Sequence, residues 1–140
     1  MKTLNDLLDL AARENGTRTA IVMQEQTMTY SQLHELTARA SAGLHAAGVR
    51  AGSCVAIIHR NSASFIATYF GLARLGAIAV PINFMVKKPE ELAYMLNDCK
   101  AVGVVTQKEF LNGIREAAMK TSSIKNLWIT DTEVPATTME

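Results

Sequence analysis

The chain has 140 residues, 49% of them apolar, with 14 Lys plus Arg against 13 Asp plus Glu and a formal net charge of +1. That length suits one domain with a real core, and a balanced charge without a basic run argues against nucleic acid or an anionic membrane as partner. No apolar run reaches the ~18 residues a transmembrane segment needs, and the start at Met1-Lys2-Thr3 leads into an amphipathic stretch rather than a signal peptide, so a cytoplasmic protein is expected.

Leu4, Leu7, Leu8, Ala11 and Ala12 recur with the spacing of one helical face, Thr3 is placed to cap it and Gly16 to stop it. From Thr19 to Thr29 two short strands flank the polar turn Gln24-Glu25-Gln26, a β-hairpin without the usual Asn-Gly signal. Thr29-Tyr30-Ser31-Gln32 has the form of a capping box, in which each end satisfies the other's amide. A helix is expected from there to Gly48, with Leu33, Leu36, Ala40, Leu44 and Ala47 inward and His34 and His45 solvated. A glycine-punctuated turn then leads into Cys54-Val55-Ala56-Ile57-Ile58, a continuous apolar run that suits a parallel strand covered on both faces.

Asn61 and Ser62 offer caps for a helix that is apolar nearly all round, through Phe65, Ile66, Tyr69, Phe70, Leu72 and Ala73. Such a helix needs a partner on more than one side. With no partner beyond this chain, part of it should face outward as an apolar patch and drive self-association, most simply as a two-fold dimer. It drops through Leu75-Gly76 into Ile78 to Asn83, expected as a buried central strand, with Gly76 at positive φ. Pro89, Glu90 and Glu91 open the next helix, Ala101 to Thr106 is a strand, Lys108 to Lys120 a helix, Leu127 to Thr130 a last strand, and 131–140 a polar tail. The two cysteines, Cys54 and Cys99, read as reduced core thiols. Strand and helix alternate from Cys54 onward, so the fold class is α/β: a doubly wound, mostly parallel sheet with helices on both faces, preceded by a helix and a β-hairpin.

A doubly wound sheet gathers ligands at the carboxyl ends of its strands, usually through a glycine-rich loop. No G-x-G-x-x-G or G-x-x-x-x-G-K-[ST] is present, and no serine lies in a G-x-S-x-G elbow. His59, at a strand end beside Arg60, is the one candidate on position, and a partly exposed histidine without a role is its simpler reading. No residue is assigned a catalytic or metal-binding role.

Met28 to Leu33, Gly48-Val49-x-x-Gly52 with Val55-Ala56-Ile57, Asn61-Ser62 with Phe65, Leu75-Gly76-Ala77-Ile78-Ala79-Val80-Pro81-Ile82-Asn83, and Glu90-Glu91-Leu92 follow one another in an order that resembles the N-terminal part of the adenylate-forming acyl-CoA synthetases. Asn83 resembles the fatty or aromatic acyl-CoA ligases, whereas Ser53 and Phe84-Met85 depart from the common pattern. The resemblance implies a parent enzyme that joins a carboxylic acid, such as a fatty acid, to ATP as an acyl-adenylate and passes the acyl group to coenzyme A, with Mg²⁺. The phosphate loop, ribose-binding aspartate, hinge and catalytic lysine that it implies all lie outside these residues, as does most of the acyl pocket. Residues 1–130 are therefore expected to be the first α/β subdomain of such a ligase, a proteolytic piece or truncated product whose partner is the remainder of the ligase chain. On its own it should be inactive and hold no cofactor. Lys87 and Lys88, after the strand end at Asn83, are where the family often places a basic residue near the coenzyme A phosphates. The rival expectations are a free-standing interaction module derived from a ligase, and a small Rossmann-like binding protein or oxidoreductase.

Overall fold

The computed structural model describes residues 3–131; the tail expected over 131–140 lies, past Asp131, outside the described residues. The elements are helix α1 (Leu4–Asn15), strands β1 (Thr19–Met23) and β2 (Gln26–Thr29), helix α2 (Tyr30–Ala46), strand β3 (Cys54–Ile58), helix α3 (Ala63–Arg74), strand β4 (Ile78–Pro81), helix α4 (Pro89–Asp98), strand β5 (Gly103–Thr106), a 3₁₀ turn at Lys108–Phe110, helix α5 (Leu111–Met119) and strand β6 (Asn126–Ile129). β1 and β2 form the antiparallel hairpin, closed by Gln24 and Glu25 with Gln24 at φ 53. β3 to β6 form one fully parallel sheet in the order β4-β3-β5-β6.

The capping box at α2 forms as its sequence demands: the Thr29 hydroxyl accepts from the Gln32 amide at 3.1 Å, and the Gln32 side chain accepts from the Thr29 amide at 2.8 Å. Thr3 and Asp6 do the same for α1. Three helices leave by one device. After α3, the Gly76 amide donates to Ala73 and the Ala77 amide to Leu72, with Gly76 at φ 72. After α2, Gly48 and Val49 donate to His45 and Leu44, and after α4, Lys100 and Ala101 donate to Asn97 and Leu96. This paired hydrogen bonding needs a left-handed residue just past the helix. Glycine supplies it at positions 48 and 76, but Lys100 supplies it at φ 53.

Side-chain alternation divides the sheet between two layers. Val55, Ile57, Val105 and Trp128 pack with Ala40, Leu44 and Leu72 of α2 and α3. Ala56, Ile58 and Val104 pack with Leu92, Leu96, Ile114 and Ala117 of α4 and α5. A third cluster joins Leu8, Leu33, Leu36 and Ala67, with Ala20, Ile21, Met28, Ile66 and Phe70 around them.

Three expectations are corrected by this arrangement. The strand after Gly76 is neither central nor buried: β4 is the edge of the sheet, Ile78 is 50% exposed, and the middle position belongs to β3. Apolar and β-branched composition marks a strand but not its place in the strand order. The surplus apolar surface of α3 does not face outward either, since α1 and the hairpin cover it within the chain through the third cluster, and none of its apolar residues is exposed. His34 is not simply solvated: its Nε2 lies 2.7 Å from the Asp9 carboxylate and ties α2 to α1.

Candidate functional site

The order β4-β3-β5-β6 places the first strand of the sheet in its middle, with the next two on opposite sides. Chain direction therefore diverges between β3 and β5, and the crevice outside their carboxyl ends is where a doubly wound sheet receives a ligand. Four chain segments meet at this edge. His59 and Arg60 follow β3, the loop 82–88 follows β4, Gln107 and Glu109 follow β5, and Thr130 and Asp131 follow β6.

Side chains of the chain itself bridge the crevice. The Arg60 amide donates to Gln107 Oε1 at 2.9 Å, crossing from the end of β3 to the end of β5. The Arg60 guanidinium holds Glu109 with two hydrogen bonds, Nε to Oε1 at 2.6 Å and Nη2 to Oε2 at 3.2 Å. Its Cζ also lies over the Phe84 ring at 4.8 Å and the Phe110 ring at 5.7 Å, and those rings stand 5.4 Å apart. The Glu109 carboxyl is held below its usual range, first by the hydrogen bonds from Arg60. Guanidinium, carboxylate and aromatic pair thus brace one another, each using the planar geometry that arginine offers.

His59 is buried, 3% exposed, rather than partly exposed as expected. Its Nδ1 is 2.7 Å from the Arg60 carbonyl, which can only accept, so Nδ1 carries the proton and Nε2 accepts from the Thr130 hydroxyl at 2.6 Å. The ring meets Phe65 edge to face, and Ser62, which caps α3, lies 3.3 Å from Nδ1. Burial lowers the pKa of His59, opposed by the Arg60 carbonyl and the Asp131 charge. Both ring nitrogens are engaged within the chain, so His59 fastens β3 to β6 across β5 and presents no free atom to a ligand.

The two lysines part company. Lys87 lines a cavity of about 210 Å³ on the α4 and α5 side of the edge, whose other walls include Ile58, Phe84, Leu92, Phe110 and Gly113. Lys88 precedes α4 at its N-terminal boundary, and its charge bears on Glu90 instead. Proximity in sequence suggested a pair, but the turn into α4 sends only one of them to the cavity. The Arg60 brace and the cavity were not foreseen, because Arg60, Phe84 and Glu109 are separated by loops whose course no periodicity sets. Among the described residues no group of three or more His, Cys, Asp or Glu could hold a metal ion. The cysteines are free and half-buried; burial raises the Cys99 thiol pKa, and its charge couples to Cys54 at the opposite end of the sheet. No helix among the described residues is long and apolar enough to cross a membrane.

Comparison with known proteins places this edge in context. The sequence matches the AMP-binding enzyme family over residues 8–139. It is 35% identical over 108 residues to indoleacetate–CoA ligase of Aromatoleum aromaticum, covering 77% of this chain and 21% of that protein. It is 33% identical over 110 residues to 2-succinylbenzoate–CoA ligase of Bacillus cereus, covering 79% and 23%. The fold is similar to a long-chain-fatty-acid–CoA ligase of Archaeoglobus fulgidus, with TM-score 0.89, 28% identity and coverage of 98% of this chain and 28% of the other. It also matches the N-terminal domain of FACL13 from Mycobacterium tuberculosis, with TM-score 0.86, 27% identity and coverage of 100% and 37%. The chain thus spans about a fifth to a quarter of the relatives it matches in sequence.

Proposed function

The chain belongs to the AMP-binding enzyme family, and from that premise we propose that it serves as the first α/β subdomain of an ATP-dependent acid–CoA ligase, with the rest of such a ligase as its partner. The observation that carries the reading is a family match running through almost the whole described sheet, with CoA ligases among both the sequence relatives and the solved structures. Those relatives are named for acids as different as indoleacetate, 2-succinylbenzoate and a long-chain fatty acid. The substrate class is therefore an organic carboxylic acid, with fatty acids as one member.

The residues present do not fit ATP or Mg²⁺. The sequence offers no glycine-rich loop to cradle phosphates, and the described residues offer no cluster of three metal-ligating side chains. No chemical step is assigned to this chain. Its contribution is scaffold: β3 and β5 hold the strand ends at which a ligand approaches, and the His59 and Arg60 contacts fix them relative to the end of β6 and the 3₁₀ turn before α5. Coenzyme A fits better at one point. Lys87 is an exposed point charge at this edge, of the kind that takes a phosphate, and Lys88 lies next to it in the chain. A cytoplasmic location belongs to the same proposal, supported by two free cysteines. So does self-association, for which the exposed large apolar side chains include Leu4 and Leu7 on α1 and Val22 and Met23 on the hairpin, and none on α3. Light scattering over a dilution series tests it, and a constant monomer mass refutes it.

Acid-dependent ATP–pyrophosphate exchange tests the main reading. The 140-residue chain should give none with acetate, octanoate, palmitate or benzoate, and exchange above a heat-killed control would overturn the scaffold role. In a ligase that contains this chain, Lys87→Ala with Lys88→Ala should raise KM for coenzyme A and leave exchange unchanged. An unaltered KM would remove the two lysines from the reading.

A further inference from the structure

The two edges of the parallel sheet differ in what they offer another strand. Along a strand, successive residues turn their amide and carbonyl groups to opposite sides, so the bonds to the inner strands show which groups point outward. On β4 the Ile78 amide donates to Ser53 at 2.7 Å, and just past the strand the Ile82 amide donates to Ile57 at 2.9 Å. Positions 78, 80 and 82 therefore face β3, and positions 79 and 81 face away. Position 81 is a proline, which has no amide hydrogen, so Ala79 is the one outward donor of β4. Proline at such a position keeps an edge from pairing. On the other edge, the Thr130 amide just past β6 donates to Thr106 at 3.1 Å. Asn126 and Trp128 thus face β5, while Leu127 and Ile129 turn both amide and carbonyl away from the sheet. Neither makes a backbone hydrogen bond outside the sheet among the described residues. The strand Asn126-Leu127-Trp128-Ile129 has no proline and no charged residue, so it lacks the devices that keep an open edge unpaired.

Backbone donors and acceptors left over in this way need partners. This chain covers only 21% of indoleacetate–CoA ligase and 28% of the long-chain-fatty-acid–CoA ligase structure, so relatives of this kind hold a great deal of further polypeptide. The order β4-β3-β5-β6 sets β5 and then β6 successively further from β4, and a strand that follows β6 in the chain continues that series. We infer that β6 is the docking edge of this subdomain, where an extended segment of the ligase chain beyond residue 140 adds a fifth strand, bonded to the amides and carbonyls of Leu127 and Ile129. The inference rests on the proposed role as a ligase subdomain. Leu127 packs toward the α4 and α5 layer and Trp128 toward the α2 and α3 layer, so an added strand meets helices on both faces. The segment that fits is therefore a short apolar run, matching the four residues of β6 and without proline where its amides must reach Leu127 and Ile129.

Amide hydrogen–deuterium exchange, read at single residues, compares the 140-residue chain with an intact ligase that contains it. In the intact ligase the Leu127 and Ile129 amides should exchange about a hundredfold or more slowly than in the 140-residue chain, because an amide inside a sheet exchanges only when the strand covering it opens. Ala79, outward on β4, should exchange at the same rate in both. Ile129→Pro removes an outward donor and no bond to β5, as Pro81 does on β4, and should lower the Tm of the intact ligase more than that of the 140-residue chain. If that variant misfolds, the exchange comparison still decides, since it needs no substitution. Unchanged exchange at Leu127 and Ile129 in an intact protein that carries out acid-dependent ATP–pyrophosphate exchange would overturn the edge assignment and leave the ligase reading in place. Protection gained at Ala79 instead would do the same. Protection of Leu127 and Ile129 that is already present in the 140-residue chain and grows with its concentration would overturn the assignment in favour of a second copy. An intact protein without acid-dependent ATP–pyrophosphate exchange would remove the ligase reading, and this inference with it.

Discussion

Gly103→Ala sets two effects of opposite sign against each other. Replacing a glycine inside a strand relieves an entropic handicap of about 0.5–1 kcal/mol. At position 103, however, the added Cβ would overlap Cζ3 of Trp128 and lie 2.6 Å from its Cη2 and 2.9 Å from the Asn126 carbonyl oxygen. Carbon atoms in contact settle at ~3.5–4.0 Å, so the indole would have to withdraw by about 1 Å. Trp128 is 5% exposed and packed against Val105, Val55 and Leu44, which leaves it nowhere to go without disturbing the α2 layer. Overpacking of this kind costs ~1–3 kcal/mol, and expulsion of the ring would approach the ~3–5 kcal/mol of deleting a large aromatic. The clash wins, and a net loss of about 2 kcal/mol is expected, a Tm lower by ~4–8 °C at this chain length. Trp128 is the only tryptophan, so urea melts followed by its fluorescence report both stability and whether the ring has left its pocket. The matched control is Gly113→Ala, the same substitution with no neighbour inside 3.8 Å, which should stabilise by ~0.5–1 kcal/mol. A Gly103→Ala midpoint equal to or above that of the parent would refute the packing argument. The consequence reaches the functional edge, because Thr130 directly follows β6, and a displaced β6 withdraws the hydroxyl that holds His59.

Three further outcomes are expected. Gly76→Val should cost more than ~1 kcal/mol in denaturant melts, because φ 72 is hostile to a β-branched residue and the Cβ would press on Ala51 at 3.3 Å; melts that coincide would disprove it. Lys100→Gly should stabilise by roughly 0.5–1 kcal/mol, since Lys100 holds at φ 53 the left-handed position that glycine holds after α2 and α3, and a drop in midpoint would show that its side chain matters more than its backbone. The His59 pKa is lowered in the folded state, so the unfolded chain binds the proton more tightly: stability is fully present above pH 6.5 and falls as pH drops through 6.5 toward the folded-state value. Stability measured from pH 8 to 5 should decline more steeply in the parent than in His59→Gln, whereas parallel curves would contradict the burial of a neutral ring.

The sequence by itself determined the elements and most of their ends. The apolar period of α2, the continuous run of β3, the capping box at Thr29 and the stop at Gly76 are local patterns, and each is formed by residues within a few positions of one another. It also carried the resemblance, because the Leu75 to Asn83 stretch and the Thr29 helix start keep their order along the chain. Tertiary structure alone decided the rest. That β4 is an edge strand, and that α1 rather than a second chain covers α3, depends on strand order and on which apolar surfaces meet, and many pairings bury similar areas. The candidate site lay still further from what local pattern can reveal. His59 reaches Thr130 across 71 positions and Arg60 reaches Glu109 across 49, while Lys87 and its neighbour Lys88 point to different surroundings. Helix and strand periods arise from short-range backbone geometry and are written in adjacent residues, whereas a site at the carboxyl edge of a parallel sheet is assembled from loops that only long crossovers bring together.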